Sequence, residues 1–275
     1  MNSKNRSVSI IGCGWLGYPL AKELAAQSWI VKGTTTRKEK IQQLQADGIE
    51  AFEFQFPNKT SSIDRLLQSE YLVLNIPPGR RNSRQLTYYS QSVQYLMDRA
   101  LSIKAIKKII FISSTSVYGA EVDVVDESTR CNPKTASGKE ILRAETIIKQ
   151  ADIPFIVLRF GGLAGPGRHP GRFLSGRENL TNGYQSVNFL HLSDATAVIE
   201  IMLRHEFNNE VFNVVAPIHP NKKEFYVKMA KMINESPPKF SKSIEGKRNE
   251  IQPEKLLNTT GYKFIFPNPM HFKFS

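Results

Sequence analysis

Near the amino terminus, Gly12-Cys13-Gly14-Trp15-Leu16-Gly17 carries the spacing G-x-G-x-x-G. A β-rich run, Val8-Ser9-Ile10-Ile11, precedes it, and Leu16, Leu20 and Leu24 follow at helical spacing. A strand that turns into a helix offers unpaired N–H groups and the positive end of a helix dipole, which suits a phosphate. In such a turn Gly12 permits the tight bend and Gly14 lets backbone approach a pyrophosphate. Gly17 lets helix and strand pack closely. Pro19, in the first helical turn, gives up no needed donor. The chemistry implied is dinucleotide binding. Cys13, Trp15 and Leu16 belong to the same cradle, and Pro77, which stops a later strand, is counted with it. Cys13 reads as a small filler rather than a redox group.

The end of the second strand selects between dinucleotides. A carboxylate there holds the ribose 2′-hydroxyl of NAD. Here the chain reads Thr34-Thr35-Thr36-Arg37-Lys38, with no acid before Glu39. The Thr36 hydroxyl and the Arg37 guanidinium suit a 2′-phosphate, which predicts NADP(H) over NAD(H). The alternative is a solvated basic turn. A second basic stretch, 168–177, holds Arg168, Arg172 and Arg177 and no acid, behind a glycine-rich turn. It predicts an anionic small-molecule substrate, with a solvated face as the alternative. His169, His191, His205, His219 and His271 show no metal-ligand spacing, so no metal is expected.

The elements that must position these residues alternate. Strands are predicted at 8–11, 28–33, 49–56, 71–76, 108–113, 154–160 and 210–215. Helices follow from residue 16, at 41–45, 85–102 and 138–150, and after Asp194 and Pro220. On the helix after Pro220, Phe225, Met229, Met232 and Ile233 share one face. The pattern predicts an α/β fold: a doubly wound parallel sheet, the NAD(P)-binding Rossmann type, over 1–215. Residues 216–275, poor in strand signal, form a small α+loop cap.

The 275 residues suffice for one large domain or two unequal ones. No apolar run approaches the roughly 20 residues that span a bilayer, so no membrane partner is expected. The apolar stretch behind Lys4 and Arg6 is cut by glycines and Pro19, unlike a signal peptide. Cys13 and Cys131 are the only cysteines, read as reduced thiols in a cytoplasmic protein. The net charge is +12, yet zinc-finger spacing and an aromatic-interleaved basic helix are both missing. A charged cofactor or acidic substrate accounts for the balance, without nucleic acid. Oligomeric state is not indicated.

Four further segments stand in order behind the glycine loop. They are "FISSTSVYG" (111–119), Lys139 opening a helix, "VLRFGGLAGPGR" (157–168) and "VNFLHLSDA" (187–195). Together they resemble the short-chain dehydrogenase/reductase superfamily, nearest its extended and atypical branches of NAD-dependent epimerase/dehydratase type. The likeness covers 1–215 well and the tail weakly, through "GYKFIFP" (261–267). The resemblance implies that Ser114 polarises a substrate carbonyl or holds a hydroxyl near the nicotinamide. It places the family's Tyr-x-x-x-Lys pair on Thr135 and Lys139, so the tyrosine is replaced. A threonine hydroxyl cannot act as the general acid/base near neutrality. Tyr118 is either a substitute for that phenol or a packing residue, and Lys139 still suits the nicotinamide ribose. The basic stretch 168–177 falls where the family's substrate cleft lies. By the same reading His191 is packed and hydrogen-bonded, Asp194 is an N-cap, and Asp123, Asp126 and Glu127 form a solvated loop. The function expected is an NADP(H)-dependent oxidoreductase or epimerase-like enzyme with an altered acid/base site. The alternative is a non-catalytic cofactor-binding sensor or scaffold.

Overall fold

The β-branched runs of the sequence become strands, and the leucine-spaced stretches between them become helices that cover them. The computed structural model describes residues 6–55, 62–79, 84–119, 122–241 and 246–275. In chain order these are β1 (Ser7–Ile11), α1 (Gly17–Ala26), β2 (Ile30–Thr35), α2 (Ile41–Ala46), β3 (Glu50–Glu53) and α3 (Ile63–Leu66). Next come β4 (Tyr71–Leu74), α4 (Arg84–Thr87), α5 (Tyr89–Ile103), β5 (Lys108–Ser114), β6 (Val124–Val125), α6 (Ala136–Gln150) and β7 (Phe155–Phe160). The remainder is β8 (Gly162–Ala164), β9 (Phe189–His191), α7 (Leu192–Arg204), β10 (Glu210–Val214), α8 (Lys222–Met232), β11 (Glu250–Ile251) and α9 (Glu254–Thr260).

Seven strands form one parallel sheet in the order β10-β7-β5-β4-β1-β2-β3. This is the doubly wound α/β architecture read from the sequence. β1 pairs with β2 on one side and β4 on the other, so the strand order reverses at β1. The carboxyl ends of β1 and β4 therefore border the crevice where such sheets bind ligands.

Contacts group the chain into two compact units, Met1–Val117 with Pro133–Leu158 and Ile199–Val211, and Tyr118–Asn132 with Arg159–Val198 and Phe212–Ser275. The core of the first includes Val8, Ile10, Leu20, Leu24, Leu72, Ile110, Val93, Leu96 and Ile148, all fully buried. The second closes around Ala164, Val187, Phe189, Ala216, Phe225, Met229 and Phe272.

Several boundaries differ from the expected ones. Ser28 adopts φ 64 in the turn after α1, so β2 starts at Ile30. The third strand covers Glu50–Glu53, and Phe56 lies outside the described residues. The helix read over 85–102 is interrupted at Tyr88, whose backbone (φ −110, ψ 12) leaves helical values. α8 begins at Lys222, after Asn221, whose side chain accepts the Glu224 N–H at 2.9 Å. Met232 is 52% exposed, so the buried face of α8 is Phe225, Met229 and Ala230.

Candidate functional site

The glycine loop leaves β1 at Gly12, which has φ 107, a conformation only glycine holds without strain. A Cβ there would also sit 2.5 Å from the Asn75 carbonyl oxygen. At Gly17 a Cβ would fall on the Gly12 carbonyl oxygen, so this glycine permits the close packing of α1 on the loop. Gly14 differs from both: among the described residues, chain neighbours aside, nothing lies within 4 Å of where its Cβ would point. The backbone is thus open at the one position where a pyrophosphate must approach, and the loop fits a dinucleotide.

Three groups brace this loop. The Gly12 N–H donates to Thr34 Oγ1 at 2.8 Å, and the Cys13 N–H donates to the Thr34 carbonyl at 2.7 Å. From the end of β4, Asn75 Nδ2 donates to the Gly12 carbonyl at 3.1 Å. Asn75 was not among the sequence candidates. Its signal was a polar side chain at the carboxyl end of a buried strand, next to Pro77. Cys13 is buried, and its Sγ lies 2.7 Å from where a Gly33 Cβ would stand. Burial pushes its thiol up to about 12, so at neutral pH it is a protonated filler. Trp15 is half-buried and Leu16 buried. Thr36 and Arg37 are exposed just past β2, and the Arg37 N–H donates to Thr35 Oγ1 at 3.2 Å. Pro77 is exposed, with its carbonyl accepting from Gln85 Nε2 at 2.6 Å.

Ser114 ends β5. Its Oγ accepts the Ser116 N–H at 3.2 Å, which leaves its own hydroxyl hydrogen to donate elsewhere. Beside it Ser113 is buried and donates to the fully buried Glu145 of α6 at 2.6 Å, locking that helix to the strand. Thr135 proves to be the N-cap of α6. Its backbone is extended (φ −97, ψ 152), and its Oγ1 accepts the Gly138 N–H at 3.0 Å. The Lys139 N–H donates to the Thr135 carbonyl at 3.0 Å, which keeps the two one helical turn apart. Lys139 is exposed and has no ion pair among the described residues.

Tyr118 does not suit the acid/base role. It is only 2% exposed, and its phenol donates to Asn213 Oδ1 and accepts from Arg159 Nη1, each at 2.7 Å. Burial pushes its pKa up to about 12, although the adjacent guanidinium pulls the other way. A phenol held this way is a structural post. Nor is the acidic loop merely solvated. Glu127 accepts the Asn213 N–H at 2.7 Å, and Asp123 pairs with Lys247 at 2.8 Å. Asp126 closes its own turn through Ser128 and Thr129.

Within the second unit, Gly165 and Arg168 exchange backbone hydrogen bonds and turn the chain into the basic stretch. Arg168, Arg172 and Arg177 are exposed, and Arg172 lies 3.5 Å from Glu235. Between them His169 packs on Phe274 in a tilted pair with centroids 3.9 Å apart, and it accepts the Gly171 N–H at Nδ1. His191 is buried as expected. Its Nδ1 accepts the Ser193 N–H, so Nε2 carries the hydrogen it gives to the Lys273 carbonyl at 2.9 Å. Asp194 is not the N-cap of α7 but lies inside its first turn. Its buried carboxylate instead accepts from the Tyr262 hydroxyl and from the Ile265 and Phe266 N–H groups. No group of three or more metal-ligating side chains exists among the described residues.

His169 and His219 give a pH dependence. Burial lowers both below the ordinary 6.5, and Arg172 adds to the effect at His169. The unfolded chain then binds more protons as pH falls below about 6.5, so native stability drops there. Thermal unfolding at pH 5.5 should come at a lower temperature than at 7.5, and His219→Asn should narrow the gap. An unchanged gap would show that His219 contributes nothing to it.

A family model described as the NAD dependent epimerase/dehydratase family matches residues 8–215. Protein YeeZ of Escherichia coli strain K12 is 35% identical over 271 residues, 96% of this chain and 98% of that protein. The Bordetella bronchiseptica enzyme WbmG in complex with NAD shares the fold, with a TM-score of 0.79 at 17% identity, covering 98% of this chain and 93% of that one. So does UDP-glucuronic acid 4-epimerase from Bacillus cereus in complex with UDP-glucuronic acid and NAD, with a TM-score of 0.76 at 20% identity, covering 96% and 95%. No helix among the described residues is long and apolar enough to cross a membrane.

Proposed function

Because this chain belongs to the NAD dependent epimerase/dehydratase family, we propose that it is a cytoplasmic oxidoreductase or epimerase-type protein that prefers NADP(H). Its substrate is an anionic small molecule of the nucleotide-sugar kind, and its acid/base group differs from the family's. The observation that carries this reading is the loop itself: Gly12 and Gly17 are crowded where Gly14 is open. Gly12 to Gly17 would hold the pyrophosphate, Thr36 and Arg37 the 2′-phosphate, and Lys139 the nicotinamide ribose. The chemistry such a dinucleotide would supply when bound is hydride transfer. Ser114 donates its hydroxyl hydrogen to a substrate oxygen. Arg168, Arg172 and Arg177 attract the anion, and residues 216–275 act as the substrate-side cap. The nucleotide-sugar class is supported by fold neighbours solved with UDP-glucuronic acid.

NADPH should bind more tightly than NADH. Charge-assisted hydrogen bonds to the 2′-phosphate contribute about 1.5–3 kcal/mol, so Arg37→Ala should cost NADPH about tenfold or more in affinity and leave NADH unaffected. Calorimetry with both dinucleotides decides it, and equal affinities for the wild type would refute the preference.

One observation favours the sensor or scaffold reading. The Thr135 hydroxyl caps α6 and the Tyr118 phenol is buried, so neither carries the proton. Wild-type protein should then bind cofactor yet show little oxidation of UDP-glucuronic acid. Thr135→Tyr should lose the cap, about 1 kcal/mol, and gain turnover from a phenol one turn before Lys139. Brisk wild-type turnover that ignores Ser114→Ala and Lys139→Ala would refute the altered-site reading.

A further inference from the structure

Beneath four adjacent strands, β7, β5, β4 and β1, a cavity of about 350 Å³ opens at their amino ends, opposite the glycine loop. Arg6, Lys107, Lys108 and Arg204 line it, with Tyr71 and one carboxylate, Glu206. All of these residues belong to the first unit. The guanidinium groups of Arg6 and Arg204 lie over the Trp29 ring, 5.7 and 5.8 Å from its centroid, and Trp29 packs on Tyr71 at 5.6 Å. A ring face holds an arginine head in place without consuming its N–H donors, although Arg204 also donates from Nε to Glu200 and from Nη2 to Gln27.

Two of the cations have acidic partners: Lys107 meets Glu70 at 2.5 Å and Arg204 meets Glu200 at 2.9 Å. Arg6 and Lys108 have no ion pair among the described residues. The buried Lys108 Nζ donates to the Met202 and His205 carbonyls. It thereby covers the carbonyl end of α7, which would otherwise repel an anion. Burial lowers the Lys108 pKa; Glu206 opposes this, and the charge of Arg6 adds a smaller lowering. A bound anion would help to offset the burial of the Lys108 charge. The volume falls within the range of small-molecule sites.

We propose that this cavity is a second anion site, for a small phosphorylated ligand, separate from the dinucleotide loop. The probe is inorganic pyrophosphate, titrated calorimetrically into protein saturated with NADPH. Binding should persist under NADPH and weaken at least about tenfold in Arg6→Gln/Arg204→Gln, while NADPH affinity is unchanged. The chain has two tryptophans, Trp15 in the glycine loop and Trp29 here. In Trp15→Phe the remaining emission should respond to pyrophosphate, and the two arginine substitutions should abolish that response. No binding heat, heat that NADPH displaces, or heat unchanged in the double variant would overturn the proposal. If NADPH itself fails to bind, the double variant alone still assigns the pyrophosphate.

Discussion

Gly14→Val should leave the fold intact and weaken dinucleotide binding severely. Among the described residues nothing but its chain neighbours lies within 4 Å of the new Cβ, so the melting temperature should barely move. The added branches occupy the space through which a pyrophosphate reaches the loop backbone. Each charge-assisted hydrogen bond lost there is worth about 1.5–3 kcal/mol, so affinity should fall roughly a hundredfold. Gly17→Ala should behave in the opposite way. Its Cβ falls on the Gly12 carbonyl oxygen, and overpacking of this kind costs about 1–3 kcal/mol. The pair of measurements, unfolding and cofactor titration, separates the two roles. Gly14→Val that bound NADPH normally would remove the loop from the cofactor site.

Asp194→Ala should cause a large loss of stability. The carboxylate is fully buried and accepts from Tyr262 at 2.7 Å, Ile265 at 2.7 Å and Phe266 at 3.1 Å. Hydrogen bonds to a charged acceptor are worth about 1.5–3 kcal/mol each, and the substitution strands three donors at once. A loss of more than about 3 kcal/mol follows, seen as a melting temperature lower by roughly 5–10 °C. Asp194→Asn should lose less, because its oxygen still accepts from two of the donors. Equal behaviour of the two variants would show that shape, not hydrogen bonding, sets the role of this residue.

What the sequence disclosed was local. The readings of Gly12, Gly14 and Gly17 follow from the bulk of a single Cβ within one turn, and the structure shows Gly12 and Gly17 crowded and Gly14 open. The alternation of strands and helices, and with it the doubly wound parallel sheet, followed from periodicity. The misreadings involve partners far away in the chain. Asp194 has the form of a helix cap, but its donors come from 262–266. Glu127 sits in an acidic loop, but the strand residue that holds it is Asn213. Tyr118 is fixed by Arg159 and Asn213, neither adjacent to it. Asn75 passed unnoticed because its effect on Gly12 crosses from one strand to the next. Periodicity reports which face is buried, not what it meets there.

The apolar cluster of the second unit joins Ala164 to Phe272, two residues that leave the ribosome far apart in time. Its strands β8 and β9 emerge early, but the core stays open until Phe272 and the Lys273 carbonyl that His191 grips are made. Loop closure over such a span is entropically slow. During synthesis Ala164, Val187 and Phe189 therefore wait without the late-made partners Met229 and Phe272. A premature stop at about residue 260 should yield aggregates rather than a shortened soluble protein.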